Sequence, residues 1–253
     1  APGLHGGSGT SALRRAGCLP LAPGATVEIV HVLPAELPAR VRAKAESQAR
    51  AELERAALAT REAAAAAGRE LVVNGELLSG QVFVEVIRRS RALGAGLIVL
   101  GRHAGRPVRD IFVASTPQRV VRKSDAPVLV VQLDSRRPYL RPVLATDLRD
   151  GARPSLDLAL RLLTDEVDRI TVVHAFQPPF LGFASASLSE RDRREYRRSF
   201  REEARAGLDR LLRSWVDVGA RFKPVVREGA PGPVIVNEAR RRHADLVVLG
   251  THG

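Results

Sequence analysis

The chain has 253 residues, of which 45% are apolar, which is enough for two ordinary domains with buried cores. No apolar run approaches the length of a membrane span, and the first residues lack the basic and apolar regions of a secretory signal. The single cysteine, Cys18, excludes a disulfide within the chain. We therefore expect a globular cytoplasmic protein without a membrane partner.

The formal net charge is +12, which raises the question of a nucleic-acid partner. The arginines, however, alternate with Glu and Asp along predicted helices, as in residues 190–203, and this mixture is typical of solvated helix faces. Aromatic residues make up only 4% of the chain, too few for base-stacking platforms. We expect no specific nucleic-acid binding, and only non-specific attraction to polyanions at low salt.

The first half of the chain alternates predicted strands with predicted helices. A Gly- and Ser-rich start leads into a helix near Ser11, and residues 38–67 predict a long helix that Gly68 ends. Short runs of β-branched and apolar residues predict the strands. The predicted strands are 26–33, 71–73, 97–100 and 128–133, and the remaining predicted helices are 82–93 and 117–123.

The same pattern restarts after a polar, Pro-containing segment. We interpret residues 135–142 as a linker between a first domain, 1–134, and a second domain, 143–253. Strand and helix alternation in both halves predicts two α/β domains with parallel sheets. In the second half the predicted strands are 143–147, 170–174, 222–229 and 246–249, and the predicted helices are 155–163, 189–218 and 234–243.

The two copies are incomplete at opposite ends. The first copy has no clear opening strand before Gly6. The second copy has neither the loop nor the helix and strand that should follow Gly253. We therefore expect the natural chain to have further segments at one or both ends.

Each copy contains an apolar strand that ends in a glycine turn, at Leu97–Gly101 and at Leu246–Gly250. In the first copy, Ser115 and Thr116 then precede a short predicted helix, which their hydroxyl groups are suited to cap. A strand, a glycine turn and a helix N-terminus together can form an anion site from backbone N–H groups. The sequence of the second copy stops at Gly253, before that helix.

In this order the motifs resemble those of the universal stress protein family, in its tandem two-domain form. The resemblance covers nearly the whole chain. It implies two doubly wound, Rossmann-like domains of the adenine nucleotide alpha hydrolase-like type, each with a five-stranded parallel sheet. It rests on Val-His in the second strand of each copy, the loop from Gly101 to Thr116, Asp125-Ala-Pro-Val-Leu-Val-Val, Val143-Leu-Ala-Thr-Asp147, and residues 244–253.

The resemblance also implies positions for a nucleotide. ATP-binding members have a loop with three glycines followed by Ser or Thr, an acid at the end of the first strand and a Val near the end of the second. In the first copy the matching positions are Val30, Gly101 and Ser115, with Thr116 beside it. Alanines, Ala104 and Ala114, stand at the other two glycine positions, and Gly6-Gly7-Ser8 stands where the acid is expected.

In the second copy the matches are Asp147 for the acid, Val173 for the valine, and Gly250 and Gly253 for the first two glycines. An alanine in a loop that needs positive φ is strained by about 1 kcal/mol or more, so the first site is expected to be degenerate. From the residues alone, Asp147 is equally suited to cap the turn that follows it.

Two functions of different class remain open. One is a stress-response regulator that binds ATP or another adenine nucleotide, with Mg²⁺, without rapid turnover. The other is an interaction module without a nucleotide, which forms a homodimer or pseudo-dimer through the edge of strand Val128–Leu133. They differ in whether the protein responds to ATP.

No catalytic or metal-binding residues are predicted. We find no grouping of His, Cys and carboxylates with metal-ligand spacing, and no nucleophile next to a base in sequence. His103 and His252 are interpreted as exposed loop residues. His31 and His174 are expected to make structural hydrogen bonds at the ends of buried strands. We therefore expect the protein not to be an enzyme.

Overall fold

The computed structural model describes residues 7–101, 115–132, 137–149, 152–179, 189–213 and 222–250. Contacts within the chain divide it into two compact units, with the division between Arg137 and Pro138. That point lies inside the segment interpreted as a linker. Each unit is described by itself below.

The first unit alternates helices with parallel strands. β-branched runs form the strands, and glycine ends helix α3 at Gly94, which takes the left-handed conformation at φ 58°. The elements are α1 (Gly7–Cys18), β1 (Thr26–Leu33), α2 (Ala39–Ala66), β2 (Val72–Ser79), α3 (Val82–Leu93), β3 (Ile98–Gly101), α4 (Thr116–Lys123) and β4 (Val128–Val131).

The strands of the first unit form two separate parallel pairs. β1 pairs with β2, and β3 pairs with β4. Among the described residues no strand joins β1 to β3, so the five-stranded sheet expected for this copy is not complete there. Residues 7–18, which include Gly7 and Ser8 of the aligned acid position, form helix α1 instead.

Each strand pair of the first unit has its own core. Leu53, Ala56 and Ala57 of α2 pack on Ile29 and Val73 of the first pair. The second pair is covered by α3 and α4 through a cluster of Ile87, Ile98 and Val120. The buried positions of α2 recur every three or four residues, the spacing of one helix face.

The second unit has one parallel sheet of four strands in the described residues. Its elements are β5 (Pro142–Thr146), α5 (Ala152–Arg161), β6 (Ile170–Phe176), α6 (Glu190–Arg213), β7 (Phe222–Glu228), α7 (Pro231–Arg241) and β8 (Leu246–Leu249). The order across the sheet is β7-β6-β5-β8.

Successive residues of the second sheet point to opposite faces, and helices cover both. Leu144 and Val172 pack with Leu156 of α5 and Leu208 of α6. On the other face, Val143, Val173 and Val225 pack against Val234 of α7. The sheet is therefore doubly wound, and its strands are apolar on both faces because both are buried.

No helix in the described part of the chain is long and apolar enough to cross a membrane.

Candidate functional site

The strand order of the second unit reverses between β5 and β8. From β5 the chain passes to β6 and then β7 on one side, whereas β8 returns to the other side of β5. In open parallel sheets, ligands bind in the crevice outside the carboxyl ends of the strands at such a reversal. Ala145 of β5 lies opposite Leu249 of β8, so Asp147 and Gly250 follow at the same end of neighbouring strands.

Asp147 begins a turn that two side chains hold in place. The Leu148 N–H donates to Thr146 Oγ1 at 3.0 Å, and the Arg149 N–H donates to Asp147 Oδ1 at 3.1 Å. Asp147 Oδ2 lies 3.6 Å from Arg149 Nε, and the Asp147 side chain is 40% exposed. The carboxylate thus caps the turn with one oxygen, and its other oxygen lies beside the guanidinium group of Arg149.

Leu148 has a positive φ of 65°, a left-handed conformation that costs a non-glycine residue about 1–2 kcal/mol. Its side chain packs against the core under α5 and α6. The packing and the turn hydrogen bonds hold this strained residue directly after Asp147. Strained backbone of this kind is common at ligand-binding sites.

His174 lies beside this turn. Its Nδ1 is 2.9 Å from the carbonyl oxygen of Thr146. A carbonyl oxygen only accepts, so Nδ1 carries a hydrogen and donates it. The interaction ties β6 to the last residue of β5, which agrees with the structural hydrogen bond expected for this histidine, although β6 continues beyond it to Phe176.

Val173 lies in the core of the second unit. It is 1% exposed and packs with Val143 and Val225 on the face covered by α7. Its place in the sheet is opposite Ala145, two residues before Asp147 on the neighbouring strand.

The sequence-predicted positions of the first unit are not brought together in one sheet. Val30 lies in β1 and Gly101 at the end of β3, which belong to different strand pairs. Ser115 caps α4: Ser115 Oγ accepts from the Gln118 N–H at 3.5 Å, and Gln118 Oε1 accepts from the Ser115 N–H at 2.8 Å. Thr116 is the first residue of that helix.

Several predicted loop positions lie outside the described residues, namely Gly6, His103, Ala104, Ala114, His252 and Gly253. In the first unit no acid ends a strand at the position that Asp147 holds in the second, as far as the described residues go.

His31 is 8% exposed, with Nδ1 3.9 Å from Glu52 Oε2. Burial lowers the pKa of His31, and the nearby Glu52 carboxylate offsets only part of that effect. His31 is therefore neutral at pH 7, as a structural histidine in a core. It lies within β1, two residues before the strand ends at Leu33.

A buried carboxylate on α7 was missed by reasoning from the sequence. Glu238 is 3% exposed and accepts a hydrogen bond from Arg227 Nε at 2.7 Å. Arg242 Nε and Arg241 Nη1 lie 3.3 and 3.6 Å from its oxygens. Burial by itself would raise the pKa of Glu238, but the hydrogen bond from Arg227 and the three positive charges hold it below the usual value.

Arg241 and Arg242 follow Glu238 by three and four residues, a spacing that predicts two ordinary ion pairs along one helix. Arg227 comes from β7, and only the fold brings it to the same carboxylate. The helix ion pairs expected from the sequence are therefore present at Arg241 and Arg242, and the pairing of Arg227 from β7 is the part that the sequence did not indicate.

No cluster of three or more His, Cys, Asp or Glu residues suited to a metal ion occurs in the described ranges.

Parallel strands alternating with helices in both units define an α/β protein with two tandem domains, and the second unit is doubly wound. A model of the universal stress protein family matches residues 6–132 and, a second time, residues 138–253. The chain belongs to the universal stress protein family and contains two copies of its domain.

Individual relatives agree with this assignment. A curated universal stress protein of Mycobacterium tuberculosis (strain CDC 1551 / Oshkosh) is 28% identical over 198 residues. The match covers 72% of this chain and 56% of that protein, so it spans little more than half of the relative. The crystal structure of a universal stress protein from Archaeoglobus fulgidus DSM 4304 has a TM-score of 0.71 at 15% identity, over 99% of this chain and 84% of that one. This likeness supports the fold.

Proposed function

We propose that the protein is a stress-response regulator that binds ATP or another adenine nucleotide in the second unit, without rapid turnover. The observation that carries the proposal is the position of Asp147 and Gly250 on either side of the strand-order reversal. A carboxylate at this place accepts hydrogen bonds from ribose hydroxyls, and a glycine lets the backbone approach a phosphate.

The local chemistry fits an adenosine group. The Asp147 side chain is 40% exposed at the end of β5, and its Oδ1 accepts from the Arg149 N–H, which holds the carboxylate in the turn. Gly250 is exposed at the end of β8. Mg²⁺ would be held mainly by the phosphates of the nucleotide, with water, rather than by a cage of protein ligands.

A second candidate is an interaction module that works without a nucleotide. β4 has β3 as its strand partner in the described residues, and its other edge presents unpaired backbone groups. A homodimer or pseudo-dimer would form by pairing this edge, the segment predicted as Val128–Leu133. Such a protein is indifferent to ATP.

The thermal stability of the whole chain with ATP separates the two candidates. A ligand that binds only the folded state at 100 times its Kd adds about 2.7 kcal/mol, so ATP is expected to raise the Tm. We expect Asp147→Ala to remove that increase. The Tm increase with ATP is compared with the Tm increase that inorganic triphosphate gives at the same concentration. This comparison is needed because a chain with net charge +12 attracts polyanions non-specifically.

Two variants control for the turn and the charge. Asp147→Asn keeps an oxygen for the Arg149 N–H but loses the charge, so it should retain the turn and still respond weakly. Asp165→Ala removes an exposed carboxylate elsewhere in the second unit and should respond like the wild type. No response of the wild type at millimolar ATP, or a full response of Asp147→Ala, would reject nucleotide binding at this site and favour the interaction module.

A further inference from the structure

A groove runs along the free edge of the second sheet, away from the strand-end crevice. It has a volume of about 600 Å³ and lies beside β7, with α6 on one side and α7 on the other. β7 is the edge strand, two strands from β5. At about 4.8 Å between neighbouring strands, the groove is about 10 Å from the strand that ends in Asp147.

The backbone of the edge strand is closed to a further strand. Pro224 has no N–H to donate, and proline in a sheet is typical of an edge. Its carbonyl oxygen accepts from Arg205 Nη1 at 3.5 Å, and the Val226 carbonyl oxygen accepts from Arg227 Nη1 at 3.4 Å. The edge therefore presents guanidinium groups instead of a free hydrogen-bond ladder.

The groove has a large excess of positive charge. Six of its ten lining residues are basic, and one, Glu238, is acidic. We call this surface the arginine groove, and its basic residues are Arg201, Arg205, Lys223, Arg227, Arg241 and Arg242.

The acidic groups near the arginine groove neutralise only part of it. Buried Glu238 accepts from Arg227 and lies beside Arg241 and Arg242, and Asp209 accepts from Arg205 Nε at 3.0 Å. In the part of the chain that the structure describes, Arg201 and Lys223 have no acidic partner. Their charges are therefore available to a ligand.

Glu238 also orders the groove. One carboxylate gathers three guanidinium groups that would otherwise repel one another. The side chains of Arg227 and Arg241 remain 44% and 68% exposed, so each keeps donors directed to solvent. An anion that enters meets arginines that are already in position, which lowers the entropy cost of binding.

The positive surface continues into a second depression of about 320 Å³, which shares Arg241 and Arg242 with the arginine groove. Arg141 and Arg169 add two further positive charges there, next to one acid, Asp168. The basic surface therefore extends beyond the arginine groove itself.

We propose that the arginine groove binds a compact polyphosphate anion, as a short inorganic polyphosphate or as the polyphosphate group of a small molecule. Guanidinium groups bind phosphate oxygens in pairs through a planar fork. The groove volume is that of a small-molecule site. Among the residues that the structure describes, no aromatic side chain lines it, so base stacking of a single-stranded nucleic acid has no platform in that part of the groove.

The test uses inorganic tripolyphosphate and isothermal titration calorimetry of the whole chain at fixed ionic strength. We expect tripolyphosphate to bind more tightly than sulfate, and the double variant Arg201→Gln/Lys223→Gln to weaken binding about tenfold or more. The matched control is Arg40→Gln/Lys44→Gln, which removes two exposed charges from α2 and should change the affinity by about twofold or less.

Further titrations distinguish the arginine groove from the strand-end site, and an inorganic polyphosphate from the polyphosphate group of a small molecule. Tripolyphosphate binding should survive Asp147→Ala; if that variant abolishes it, the anion binds at the strand ends and the groove proposal fails, while nucleotide binding stands. In the Asp147→Ala variant, tighter binding of a nucleoside triphosphate than of tripolyphosphate would identify a small-molecule source, and tighter binding of tripolyphosphate an inorganic one. The proposal would be overturned if both double variants weakened tripolyphosphate binding equally, or if tripolyphosphate bound no more tightly than sulfate. It would also be overturned if a single-stranded RNA oligonucleotide bound more tightly than tripolyphosphate and the groove variant abolished that binding.

Discussion

Gly17→Ala is expected to destabilise the first unit, although alanine favours helices over glycine by about 1 kcal/mol. A Cβ at Gly17 would lie 2.8 Å from the carbonyl oxygen of Thr60 and 2.9 Å from the Cβ of Ala63. Both atoms belong to α2 and neither can move without a shift of the helix. We expect a net loss of about 1–3 kcal/mol.

Hydrogen exchange followed by mass spectrometry measures this loss where it occurs. Amides of α1 and α2 should exchange about tenfold to a hundredfold faster in Gly17→Ala, since each 1.4 kcal/mol is a factor of ten. Gly232→Ala is the matched control, because it lies in α7 with no heavy atom within 4 Å of the added Cβ. Unchanged or slower exchange in α1 and α2 would show that the helices are not in the close contact described.

The second large effect is expected for Glu238→Gln. The substitution leaves Arg227, Arg241 and Arg242 without their shared carboxylate. Removing one partner of a fully buried ion pair costs about 3–5 kcal/mol. Because the arginine side chains here are partly exposed and can turn to water, we expect a smaller loss, about 1–3 kcal/mol.

The pH dependence of that loss follows from the lowered pKa of Glu238. A carboxyl group whose pKa is lower in the folded state stabilises the protein above its unfolded pKa, about 4.3 for glutamate, and loses that contribution as the pH falls through the folded value. The difference in unfolding free energy between the wild type and Glu238→Gln should therefore be largest near neutral pH. It should narrow as the pH falls below about 4.

Urea unfolding, followed through signals of the second unit at several pH values, checks this. Glu202→Gln is the control, since its partner Arg198 and Glu202 itself are 71% and 70% exposed, and exposed pairs contribute little. If the difference in unfolding free energy between the wild type and Glu238→Gln stays constant from pH 7 to about 3, the charge of Glu238 does not stabilise the fold.

The fold was largely predictable, because apolar periodicity and terminating residues were clear. α3 was predicted over its exact range, 82–93, since it begins after a loop and ends at Gly94. β2 was predicted as three residues but extends to Ser79. Its later residues include Gly75 and Glu76, which do not favour strands, and they are held by pairing with β1 from Val72 to Ser79.

The candidate site was predictable only in part. That Asp147 and Gly250 share one end of the sheet follows from two parallel strands that end at those residues. The burial of Val173 does not follow, because the apolar run from Ile170 gives no indication of which face each residue takes. The cluster at Glu238 depends on β7 lying against α7, a tertiary contact that no local pattern in the sequence contains.

We propose above that an adenine nucleotide binds at the carboxyl ends of β5 and β8. Amide chemical-shift changes of ¹⁵N-labelled protein titrated with MgATP test this binding, and the Arg201→Gln/Lys223→Gln variant, in which the arginine groove binds more weakly, is titrated in parallel. We expect saturable chemical-shift changes at Leu148, Arg149 and Gly250 in both proteins. Shifts confined to the residues of the arginine groove, or to Val30 and Gly101 in the first unit, would contradict it.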